Sequence, residues 1–151
     1  MPAPFIHPPE YSRSSGQVGA STGPAEPGDP GRRLAVWAES CYLANLLVAP
    51  GLGFLALLWL WRRPDAQASP LAAHHLRQTL VGSLWAGALL VGLSGVILLI
   101  GGFDSMWSWL AVILYFTFFH STLVLFGMVG LARAMAGQVF RYPLIGPPDL
   151  P

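Results

Sequence analysis

Between Gln78 and Ala132 the chain carries a single charged residue, Asp104. No water-soluble domain of this size leaves so long a stretch without a solvated charged face. One crossing of a bilayer takes roughly 20 apolar residues, so the run is too long for one span. It breaks at Gly101-Gly102-Phe103-Asp104-Ser105, which makes it two spans joined by a tight loop. In hydrocarbon every backbone amide must be paired within the segment, so the spans are helices.

Composition agrees. The 151 residues are 54% hydrophobic and 10% charged, against about 25% charged in a soluble domain. The net charge of +1 and the lack of a basic stripe leave nothing to hold nucleic acid. The single cysteine, Cys41, excludes an intrachain disulfide and a cysteine metal site. No motif calls for a cofactor or a metal. Residues 1–33 have no apolar core behind a basic start, so they contain no cleavable signal.

The expected fold is an all-α membrane bundle of three spans, over about 34–61, 77–100 and 106–133. Residues 1–33 are rich in Pro, Gly and Ser. Such a segment buries too little surface to offset its ordering entropy, and disorder is expected. Residues 146–151 are expected to form a flexible tail. The first span is interrupted by Pro50-Gly51 and is expected as one kinked crossing, with a re-entrant hairpin as the alternative. The second begins at Ser69-Pro70, a capping serine followed by a first-turn proline. Its small residues Gly82, Ser83, Ala86, Gly87, Gly92 and Gly95 suit close helix packing. The third opens on Trp107 and Trp109 at headgroup level. Gly137 is expected to end it.

Two groups of residues stand out. His74, His75, Arg77 and Gln78 form a polar motif at the start of the second span, read as interfacial. The two histidines lie about 100° apart on a helix, which disfavours a shared metal. Inside the bilayer, Asn45, Ser94 and His120 come to similar depths, about 20–26 Å from the basic ends of their spans, and form an expected polar layer. An ionisable residue at such depth is a functional candidate by default, although His120 reads more simply as neutral helix-packing glue. Gly92-Leu93-Ser94-Gly95 looks like the serine motif of rhomboid proteases, but it lies inside an unbroken apolar run and no catalytic residue is assigned. Glu39 is read as a first-turn acid near the outer end of the first span.

The C-terminal motif Ala134-x-x-Gly137-x-x-Phe140-Arg141-Tyr142-Pro143-Leu144 and the earlier His75-x-Arg77-Gln78-x-Leu80 resemble those of small bacterial membrane proteins of unknown function, related to a chloroplast inner-envelope protein-import component. The likeness covers about Leu34 to Ile145, with Val81 where those proteins have Asn. It implies a helical inner-membrane fold and no agreed activity.

The expected function is non-catalytic: a multi-pass inner-membrane protein of a bacterium that packs into a homo-oligomer or a larger membrane complex. Its partners are then the lipid bilayer and itself or another membrane protein. A pore or protein-translocation component is the alternative, and an intramembrane serine hydrolase using Ser94 and His120 a distant third. Arginine placement puts the 62–76 loop and the C-terminus in the cytoplasm. On a three-span model the N-terminal tail is then outside.

Overall fold

The computed structural model describes residues 28–142; these form helices joined by short turns, with an irregular segment after Met135 and no strand among them. Helix α1 spans Pro30–Leu47, α2 Leu52–Trp61, α3 Pro64–Ala68, and α4 Pro70–Ala86. Residues Gly87–Leu93 widen into a π-helix, and α5, Ser94–Gly101, continues the same rod. Helix α6 is Met106–Met135. The calls on residues 1–27, Pro143 and 146–151 lie outside the described residues.

The apolar run folds as its composition requires. Pro70–Gly101 and Met106–Met135 are the two helices long and apolar enough to cross a membrane. Gly102, at φ 84°, makes the turn between them, and a Cβ on Gly101 would meet the Ser108 hydroxyl at 2.2 Å. Ser69 caps α4 through the Ala72 amide, and Ser105 caps α6 through the Ser108 amide. Gly137, at φ 67°, ends α6 as expected. The Gly137 and Gln138 amides donate to the Ala134 and Arg133 carbonyls at 3.0 and 2.9 Å, satisfying the last turn.

The first expected span is not one kinked crossing. Among the described residues two helices are long and apolar enough to cross a membrane, not three. Helix α1 begins at Pro30, capped by the Asp29 carboxylate on the Gly31 amide at 2.9 Å, and α2 folds back along it. Gly53 lies so close to α1 that a Cβ there would sit 2.6 Å from the Cys41 carbonyl oxygen and the Asn45 amide nitrogen. Pro50 has no amide hydrogen to continue the helix, and Gly51, at φ 88°, turns the chain. The chain therefore reverses at Pro50-Gly51 into a helical hairpin, as the alternative had it.

Helix α1 runs alongside α4 in the same direction and against α6. Gly31 abuts Ser69, Glu39 contacts His75, and Gly82 abuts Tyr42. On the other side Arg32 donates to the Met135 carbonyl, Glu39 lies against Gly130, and Tyr42 lies against Gly127. The helical hairpin α1–α2 thus covers only the half of the α4–α6 pair nearest the arginines. Arg32 and Arg33 open α1, Arg62 and Arg63 close α2, Arg77 is in the second turn of α4, and Arg133 and Arg141 flank the end of α6. All seven belong to one end of the molecule.

Candidate functional site: a buried Glu–His–Tyr network

The two motifs separated by more than sixty residues meet on Glu39. The Glu39 carboxylate is fully buried. Its Oε1 lies 2.7 Å from His75 Nδ1, itself fully buried, and its Oε2 accepts from the Tyr142 hydroxyl at 2.7 Å. The other His75 nitrogen, Nε2, reaches the Gln138 carbonyl at 3.0 Å. Gln78 Oε1 accepts from the Tyr142 amide at 3.0 Å, and Thr79 donates to the His75 and Leu76 carbonyls. Next door, His74 Nε2 reaches the Phe140 carbonyl at 3.0 Å.

The protonation logic follows from the acceptors. A backbone carbonyl only accepts, so His75 Nε2 carries hydrogen. The Nδ1–Oε1 contact then holds one further proton, on the imidazole as an ion pair or on the carboxyl as a neutral pair. Either way the pair is neutral overall, which is what makes its burial tolerable. Burial, then the Glu39 carboxylate, push the Tyr142 phenol far above its ordinary pKa, so it remains a donor.

Glycines make the room. A Cβ on Gly130 would stand 2.6 Å from Glu39 Oε2, and one on Gly127 would stand 2.8 Å from the Tyr42 ring. Gly82 leaves space between the rings of Tyr42 and Tyr142, with its nearest contacts at 3.2–3.3 Å. The two tyrosine rings are 5.7 Å apart. The segment after α6 is thereby held across the mouth of the bundle by side chains from α1 and α4.

Glu39 is therefore not a first-turn acid at an outer end: it lies mid-helix in α1, beside the start of α4. Within the 74–78 motif His75 and Gln78 are buried and His74 and Arg77 half-buried. His74 and His75 point to different carbonyls and do not converge as metal ligands.

The expected intramembrane layer divides. Asn45 and His120 line one cavity of about 500 Å³ together with Ser83, whereas Ser94 does not. Asn45 Oδ1 accepts from the Gly51 and Phe54 amides at 2.8 and 3.1 Å, locking the hairpin turn. His120 stacks on Phe116 at 5.4 Å, its planes 11° apart. Neither Ser94 Oγ nor His120 Nδ1 has a hydrogen-bond partner, so the two form no dyad. The packing role expected for the small residues holds for Gly82, Ser83 and Ala86, which are buried, while Gly87, Gly92 and Gly95 face open space.

Comparison with protein-family models gives one match, the magnetosome magnetite crystal formation protein family (MamF/MmsF), over residues 32–148. The chain belongs to that family. The matched region contains Glu39, both motifs and both membrane-length helices. No curated protein and no solved structure matches the chain. The resemblance to a bacterial membrane family is supported in this form, and nothing in the match extends it to the chloroplast import component.

Proposed function

We propose that this protein is a small helical component of the magnetosome membrane that serves magnetite formation by packing into a homo-oligomer or a larger membrane complex, without catalysing a reaction. The supporting observation is the uneven covering of its two spans. Only 11% of the apolar window of either spanning helix is buried within the protein. Beyond the cavity at the α1–α2 hairpin turn, Gly92 and Gly95 offer a small-residue surface at which another helix can approach closely. The buried network keeps the basic end rigid while leaving this outer half available. By the excess of arginine, the end bearing Arg62, Arg63 and Arg141 faces the cytoplasm, and the Gly102–Ser105 turn faces the enclosed space.

The test is crosslinking in native membranes, with the wild type beside Gly95→Leu. A ring of defined size or a stoichiometric partner, lost in Gly95→Leu, supports the proposal. A lone monomer at native abundance would sink it. The pore reading rests on the cavity shared by Asn45 and His120; it predicts that His120→Ala abolishes solute flux through reconstituted vesicles, whereas packing alone predicts no change.

A further inference from the structure

The cavity between the hairpin turn and the two spans contains polar groups that the packing does not use. Ser83 is 5% exposed, and its hydroxyl has no hydrogen-bond partner. His120 Nδ1 is buried and unpaired. Asn45 engages the hairpin turn through Oδ1 alone, which leaves its amide hydrogens as donors. All three residues line the cavity of about 500 Å³. Unpaired polar groups in such surroundings are costly, and a packing core could have used alanine and phenylalanine instead.

Depth and shape limit what could satisfy them. Counting along the helices, Asn45 and His120 lie about 20 Å from Arg32 and Arg133, and Ser83 about 9 Å from Arg77. In a hydrocarbon core about 30 Å thick, that places the cavity in the apolar part of the spans. The wall beside them includes Gly87 and Val91, which are exposed on the surface of the spans, so entry is from the lipid. The stacked Phe116–His120 pair supplies a flat aromatic wall. The cavity is over three times the roughly 150 Å³ that encloses a benzene ring.

We propose that this cavity binds the ring of a prenylated quinone, a neutral, flat, lipid-soluble head whose carbonyl oxygens accept hydrogen bonds from Ser83, Asn45 and His120. Ser83 Oγ and His120 Nδ1 are both closed off in this structure, so binding requires both side chains to turn toward the ring, and the isoprenoid tail lies in the bilayer past Val91. The proposal concerns binding alone and stands independently of whether the chain forms oligomers.

The full chain in quinone-free phospholipid nanodiscs is titrated with decylubiquinone, following tryptophan emission. Decylbenzene, with a ring and tail but no carbonyl, is the competitor. Saturable quenching that decylbenzene does not relieve, weakened about tenfold by Ser83→Ala or His120→Phe, is the expected result; a tenfold loss corresponds to about 1.4 kcal/mol. Ser94→Ala, a partnerless serine outside the cavity, should bind like the wild type, and circular dichroism melting shows that each variant is folded. Quenching that only rises linearly means bilayer partitioning and overturns the proposal. Saturable binding that survives both substitutions, or yields equally to decylbenzene, means an apolar filling such as an acyl chain and overturns it too.

Discussion

At the scale of single residues, the chain concentrates its cost and its specificity in Glu39. Removing one member of a buried hydrogen-bonded pair leaves the other charged or unpaired, at about 3–5 kcal/mol. Glu39→Ala should therefore destabilise by that order in detergent-micelle denaturation. His75→Ala added to it should cost far less than it does alone, since the pair acts as a unit. Tyr142 contributes a pH dependence of definite sign. Its phenol is held above the ordinary value of 10.0 by burial and by Glu39. The folded state therefore keeps a proton that the unfolded chain releases. This contribution is complete below about pH 10 and is lost as pH rises further. In Tyr142→Phe the alkaline loss of stability should be shallower, as followed by melting at pH 8 to 11. The sequence showed His75, Gln78 and Tyr142 as motif residues but not that His75 and Tyr142 share Glu39. Glu39 carries no local signal, because its partners lie 36 and 103 positions away.

At the scale of helices, glycine substitutions separate contact from propensity. In a free helix Gly→Ala gains about 1 kcal/mol. At Gly53 a Cβ would meet α1 backbone, and at Gly130 the Glu39 carboxylate, each at 2.6 Å. The sign should reverse at both, with Gly53→Ala opening the α1–α2 hairpin. Gly95 has nothing within 4 Å, so in the isolated monomer Gly95→Ala should be neutral or stabilising by up to about 1 kcal/mol. Thermal unfolding of the three variants in one detergent decides this. Some element boundaries were legible beforehand, though α1 starts at Pro30, inside the 1–33 segment expected to be disordered. Ser69-Pro70, Ser105 and Gly137 mark helix ends by local chemistry, and local chemistry is what a sequence displays. The π-helix at Gly87–Leu93 was not legible. It carries a tertiary contact, the Tyr115 hydroxyl of α6 donating to the Leu89 carbonyl at 3.0 Å, which pairs a backbone group in a setting without water.

At the scale of the whole molecule, the hairpin decides the topology, and one sequence pattern had already pulled both ways. Three full spans require the start of α1 and the 62–76 loop to lie on opposite faces, yet Arg32-Arg33 and Arg62-Arg63 each carry the charge that favours one face. The Pro50-Gly51 break fits a kink or a reversal equally well by composition. The choice falls to packing, namely Gly53 against α1 and the Asn45 side chain on the Gly51 and Phe54 amides. With the reversal, the arginines no longer conflict, and the Gly102–Ser105 turn is left alone at the opposite end. Cysteine labelling in intact membrane vesicles tests this on a Cys41→Ala background, with single cysteines at positions 29, 65 and 104. Positions 29 and 65 should react from the same side of the membrane, and position 104 only from the other. Reaction of 29 together with 104 would restore the three-span arrangement and remove the hairpin on which the buried network depends. Asn45→Leu should shift position 29 toward that pattern, because it strips the two turn amides of their acceptor while leaving the apolar length of the segment intact.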